Sequence, residues 1–600
     1  MQEDPPHLFH IPVMGTGFTI DTPLKVARYG ISSVISLVDD DLIEQMRKYH
    51  SQASGEGYDE ISDRDEDHRA RRITAYLNLL HRLIERQVSA LQAAPFEPGS
   101  ELTLYYEMLP EGPRKEAYRE MLQTADVEER ARRQAELRRL PAPGTIDVNI
   151  MTKLDRDVYR AGEKLGPEQG DAMAALRGFA RSDLRSSVVF SAGMNSRLYS
   201  YAAQFSDFLP DGEGRLKKKI ILKVSDFRSA AIQGKFLAKR GLWVSEYRIE
   251  SGLNCGGHAF PTDGLLLGPI LEEFRTKREA LAEELFAICN AALLARGRPS
   301  FAAAPRHRVT AQGGIGTAQE QELLLAYYRA DATGWGTPFL LVPEVTHVDE
   351  AHLRKLIAAT EEDVRLSDCS PLGIPFWSLT NSASEAARRR RIEEGRPGSP
   401  CPKAYLALNT EFTPVPICPA SQAYQRLKLR QLAEATMTED ERALAREGAL
   451  RKACICHDLA GGATVKNDID PAATTAVCPG PNIVNFKRIV TLREMVGHIY
   501  GRLSILANRE RPHMFIAELK LYADYLREES RKVSLQCSAR AREYLTLFKA
   551  NLLAGISHYQ RMADHLAGQK ARFLEDLHRL RLEIEAIEIP SCTPTLSNPA

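Results

Sequence analysis

The 600-residue chain has no net charge: lysine plus arginine and aspartate plus glutamate both number 79. That removes any global attraction to nucleic acid or to an anionic membrane surface. The basic run ARRRRIEE at 387–394 reads as a solvated helix face rather than a phosphate patch. No window reaches the roughly 18 uninterrupted apolar residues of a membrane-span candidate. The opening, MQEDPPHLFH, lacks the basic start and apolar core of a secretory signal. There is no internal repeat, no C-x-x-C pair and no G-x-G-x-x-G nicotinamide fingerprint. These absences lead us to expect a cytoplasmic chain with no membrane or nucleic-acid partner. Its 10 cysteines are then expected as reduced thiols or metal ligands rather than disulfides.

What is present is an alternation of apolar runs and helix-forming segments. Strand candidates are HIPVMGTGFT from His10, ISSVISLV from Ile31, TIDVNIM (145–151), SSVVFSAG (186–193), KKIILKV (218–224), GLWVSEYRI (241–249), RHRVTAQGGIGT (306–317) and ATGWGTPFLLV (332–342). Helix-like stretches such as DAMAALRGFARS, AAIQGKFLAKRG and KREALAEELFAICNAALLARG separate most of them. Eight strands with crossover helices predict an α/β (β/α)8 TIM barrel, formed by residues 1–50 and 141–350. Residues 51–140 are charged and helix-forming and read as a helical insertion. Residues 351–486 are rich in cysteine, proline and glycine, and 487–600 are again mostly helical.

In such a barrel the active site lies at the C-terminal ends of the strands, where the glycine-rich stretches fall. QGGIGT ends the seventh strand candidate and GWGTPF follows the eighth. As a pair they match the phosphate site that recurs on strands seven and eight, with a helix dipole expected to add to the first loop. SGLNCGGHAFPTDG, after the sixth strand candidate, sets two glycines before His258. The imidazole reads either as an acid/base poised near neutral pH or as an ordinary loop residue. Lys223, at the end of KKIILKV, reads either as a cation at the barrel mouth or as a solvated strand end.

Taken in order, HIPVMGTGF, SSVVFSAGMN, CGGHAF, TAQGGIGT and GWGTPFL resemble the FMN-dependent TIM barrels of the nitronate monooxygenase and enoyl-acyl carrier protein reductase group. The resemblance covers roughly residues 10–345 without the insertion. It implies FMN at the barrel mouth, with its phosphate on Gly313, Gly314, Gly336 and Thr337. The ring would lie near Gly15, Thr16, Gly17 and Asn195, with His258 beside it as acid or base; Lys223, where it points into the barrel mouth, would favour reduced flavin. It further implies an oxidoreductase or monooxygenase acting on a small or carrier-bound substrate, with NAD(P)H as a candidate donor. A homo-oligomer is also compatible with it. The insertion, the long extension, and Asn254 and Cys255 ahead of the glycines depart from that group. A carrier-chain accessory component and a nonredox phosphate-binding scaffold remain as rival readings.

Cys369, Cys401, Cys418, Cys454, Cys456 and Cys478 crowd into the extension. The C-x-C pair Cys454/Cys456 and Cys478, which precedes a proline, suggest a thiolate site for an iron–sulfur cluster, or alternatively zinc. Cys369, Cys401 and Cys418 are the options for a fourth ligand. Buried structural cysteines are the competing reading. Phe376, Trp377 and Phe412 sit in turn-rich sequence expected either to fold over the barrel mouth or to form satellite core.

Overall fold

The computed structural model describes residues 5–160, 163–191, 193–257, 263–401, 403–535, 539–566 and 568–590. Eight strands close into a barrel: β1 (Phe9–Ile11), β2 (Ser32–Ser36), β3 (Ile146–Met151), β4 (Ser187–Ser191), β5 (Lys219–Val224), β6 (Val244–Glu250), β7 (Arg308–Gln312) and β8 (Ala332–Gly334). Each pairs in parallel with its neighbours in sequence, and β1 closes the ring on β8 through Phe9 opposite Thr333 and His10 opposite Gly334. All eight coincide with the runs read from the sequence.

The interior is more polar than that of most such barrels, which are filled by branched apolar side chains. Val34, Val189 and Ile221 form a small separate apolar cluster. Beside it lies a buried charged group, because β6 alternates Glu246, Arg248 and Glu250 on one face. Arg248 donates to Glu246 (2.8 Å) and lies 4.0 Å from Asp147 of β3, which is not a neighbouring strand. The contact therefore crosses the lumen. Burial would raise Glu246, but Arg248 and Arg308 outweigh it and hold its pKa low. At Asp147 burial wins and the pKa rises. Burial, reinforced by Arg248, lowers His10 to about 3, so its imidazole is neutral.

The charged segment after β2 is built into the barrel wall. Ile73, Tyr76, Leu77, Leu80, Ile84, Val88 and Leu91 recur at helical spacing along the helix His68–Ala93, and all are buried. The helix crosses Asp171–Arg181 where Gly178 permits close approach: a Cβ there would lie 2.7 Å from the Ala70 carbonyl oxygen. Tyr76 also donates to the Ile20 carbonyl (3.0 Å).

At the other end of the chain, helices Met514–Leu535, Ala539–Met562 and Lys570–Glu585 pack together and against Leu267–Leu294. Glu518 anchors them: its Oε2 accepts the Leu267 amide (2.9 Å), and Ser251 and Tyr559 also hydrogen-bond to its carboxyl group. Tyr559 Oη in turn accepts the Gly268 amide (3.2 Å). Full burial lifts the Glu518 pKa from 4.5 to about 7.

A raised carboxyl pKa means that the folded state holds a proton the unfolded state releases. The associated stability is complete below pH 4.5 and is lost as pH rises to about 7. The effect is of order 3 kcal/mol. Urea unfolding should therefore find Glu518→Gln close to wild type near pH 5 and more stable than wild type near pH 8. Parallel wild-type and variant profiles would show that this carboxyl is not titrating in the folded chain.

Candidate functional site

Three strand ends build a polar floor at the mouth. Lys223, near the end of β5, pairs with Glu250, the last residue of β6 (Nζ to Oε2 2.8 Å). Gln312, the last residue of β7, donates from Nε2 to the other Glu250 oxygen (2.7 Å). Both members of the ion pair are mostly buried, at 19% and 12% exposure. Lys223 is thus a fixed cation at the mouth and not a solvated strand end. Its Nζ lies 4.0 Å from the place a Cβ would take at Gly257, in the loop that leads to His258. His258 itself lies outside the described residues.

The two glycine turns on β7 and β8 face one small cavity of about 20 Å³, also lined by Glu250, Asn254 and Cys255. Gly313 and Gly314 hold φ of +99° and +81°, a region that L side chains avoid. Among the described residues, the amides of Gly313, Gly314 and Gly336 meet no acceptor. Three unclaimed amides on adjoining loops are suited to an anion.

The helix dipole expected behind the first loop is not available in the same way. Glu320 Oε2 accepts the amides of Gly316 (2.8 Å) and Thr317 (3.2 Å), completing a capping box on the short helix Ala318–Glu322. That carboxylate already occupies the anion position at the helix start. Burial would raise Glu320, but the adjacent Arg511 guanidinium holds it low (2.6 Å). Arg511 also donates to the Gly314 carbonyl and to Asn482 Oδ1 (2.8 Å). Asn482 Nδ2 reaches the Ile315 carbonyl (3.1 Å). The phosphate-type loop is therefore braced by residues from the far end of the chain.

The extension folds back over the mouth. Gly17 donates to the Leu459 carbonyl (3.0 Å), Gly256 to that of Cys478 (3.3 Å), and Trp377 Nε1 to that of Gly252 (2.9 Å). A Cβ at Gly17 would lie 2.8 Å from the Ala460 oxygen, and one at Gly15 3.2 Å from the Leu459 side chain. The glycines of the first loop thus admit the extension's backbone. Thr16 Oγ1 is buried and has no partner among the described residues. Asn195 caps the helix Ser196–Ala202 by accepting the Leu198 amide (3.0 Å). Its Nδ2 donates to the Thr152 carbonyl (3.0 Å) and Asp155 (3.3 Å), so the side chain serves loop structure. Trp377 is at the mouth as expected, whereas Phe412 packs on Tyr424.

The cysteines sort differently from the sequence reading. Cys454 and Cys456 come together with Cys401, their sulfurs all within 4.8 Å of one another. Cys478 is not with them: its backbone oxygen accepts the Cys255 thiol (3.2 Å), and its own sulfur faces the Gly257 carbonyl (3.8 Å). Cys401 stands beside the C-x-C pair instead, while Cys478 faces the loop after β6.

Glu250, Glu320, Asn482 and Arg511 were not foreseen. Glu250 carried a readable signal as the charged end of an inward-alternating strand. The other three are joined only by the fold.

Two outcomes test this geometry. Lys223→Met should leave Glu250 without its cation and cost about 1–3 kcal/mol, part of which Lys223→Met with Glu250→Gln should recover in denaturant unfolding. If the double variant is no better than the single, the pair is not coupled. Gly17→Ala should cost about 1–3 kcal/mol by overpacking and speed proteolytic release of the extension. Cleavage at the wild-type rate would mean that this docking contact is absent.

No protein-family model and no curated protein matches the chain. Among solved structures, it is similar to the enoyl reductase domain of MlnA from the macrolactin biosynthesis cluster of Bacillus amyloliquefaciens. The two share 12% sequence identity with a TM-score of 0.31, over 74% of this chain and 88% of that one.

Proposed function

We propose that the barrel mouth binds FMN and that the chain is an oxidoreductase. The observation that carries this reading is the pair of glycine turns on β7 and β8, whose unclaimed amides share a cavity with the Lys223–Glu250 pair. At its phosphate end the group would find donors in the Gly313, Gly314 and Gly336 amides and the Thr337 hydroxyl, in a cavity of about 20 Å³ that must widen to take it. At the ring end the fit is narrower. The space against Gly15 and Gly17 is taken by Leu459 and Ala460, while the Thr16 hydroxyl still lacks a partner among the described residues.

Bound there, FMN would supply two-electron exchange between a donor such as NAD(P)H and a substrate or oxygen. The protein's part is positional and electrostatic. Lys223, held by Glu250, fixes positive charge at the mouth, and Trp377 with the Leu459–Ala460 segment limits entry of water. His258 is the assigned proton carrier on the strength of its motif after Gly256 and Gly257. A small nitronate or an enoyl group, free or on a carrier, is the substrate class in keeping with this arrangement.

The narrowness beside Gly15 and Gly17 favours one other reading, a nonredox barrel that holds a smaller phosphate compound. Purified full-length protein distinguishes the two. The flavin reading expects a yellow preparation that releases FMN on denaturation, or one that binds added FMN. A colourless protein that takes up no FMN supports the phosphate reading instead. His258→Ala should then retain the colour and lose turnover of a nitronate or an enoyl thioester; unchanged turnover would remove His258 from the chemistry.

A further inference from the structure

The cysteine trio lies outside the barrel mouth and has no part in the proposed flavin chemistry. Cys401, Cys454 and Cys456 come from two distant stretches of chain, yet their sulfurs lie within 4.8 Å of one another. Tetrahedral zinc with Zn–S bonds of about 2.3 Å sets its sulfurs roughly 3.8 Å apart, so one ion can reach all three with little movement. An iron–sulfur cluster spreads its thiolates over different iron atoms and calls for wider separation. The spacing therefore favours a single ion.

Cys418, whose sulfur is not among the three within 4.8 Å, lies on the adjoining loop. Ser399 donates to the Ala420 carbonyl (2.8 Å) and accepts the Gln422 amide (3.1 Å), so the loops bearing Cys401 and Cys418 run side by side. Each cysteine precedes a proline in the sequence. Lys403, whose Nζ pairs with Asp39 (2.6 Å), adds a cation near Cys456.

We propose that Cys401, Cys418, Cys454 and Cys456 hold one zinc ion. The site is structural, since four thiolates leave no open coordination position. It ties together two Cys-Pro loops and the Cys454–Asp458 turn, the last immediately before Leu459, which docks on Gly17. The proposal does not depend on the flavin reading, because the ligands lie in the extension and are tested by metal content.

The test is metal analysis and cobalt substitution of the full-length protein purified without chelators. The expected result is about one zinc per chain with little iron, and cobalt spectra of tetrahedral thiolate type. Cys454→Ser and Cys456→Ser should lose that signal, and Cys478→Ser should keep it. Because ligand variants can fail to fold, the wild type is also alkylated with and without zinc. Metal should protect Cys401, Cys418, Cys454 and Cys456 together. Iron with acid-labile sulfide, a disulfide among these cysteines, or a metal-free protein that binds no cobalt would each overturn the assignment. Equal alkylation of Cys418 with and without zinc would overturn its place as the fourth ligand.

Discussion

The mouth of the barrel depends on backbone pressed against backbone. Gly17 meets Leu459 and Ala460, Gly256 meets Cys478, and Gly480 comes so close to the Asn254 carbonyl that a Cβ would lie 2.6 Å from it. At Gly17 glycine is required by proximity, since a side chain would drive the extension away from the barrel, whereas Gly256 and Gly480 also hold φ of +80° and +67°, where side chains are disfavoured. The identity of the cavity walls, the burial of Cys255 and Cys478, and the position of Trp377 all follow from that approach.

The charged lumen is the second constraint. A carboxylate pair around Arg248 is weak support for stability, because removing these ions from water costs about as much as their attraction returns. It does fix geometry. Arg248 spans the lumen toward Asp147, and one layer nearer the mouth Glu250 holds Lys223 and Gln312 in place. The same inward register of β6 supplies both layers, so one strand positions the interior charge and the polar floor of the site.

The sequence made the barrel legible because each strand is a local pattern, a short apolar or alternating run, and several of them run into glycine-rich turns. The paired turns QGGIGT and GWGTPF could be placed on one face for the same reason. Two other features required the fold. Three Cys-Pro steps, at 401, 418 and 478, look equivalent along the chain, and only tertiary placement shows that the first faces Cys454 and Cys456 while the last faces Gly257. The charged segment after β2 read as an insertion, yet its longest helix carries an apolar stripe that lines the barrel wall. Arg511 was beyond any local reading, because its partners Glu320 and Gly314 lie nearly two hundred positions earlier.

The order of the chain also sets an order in time. The last barrel strand ends at Gly334, whereas every segment that covers the mouth, from Trp377 through Leu459 and Cys478 to Arg511, follows it. Domains fold as they emerge during synthesis, earlier segments first. The barrel can therefore close while its mouth is still open to the medium, and the cover arrives later on a finished rim.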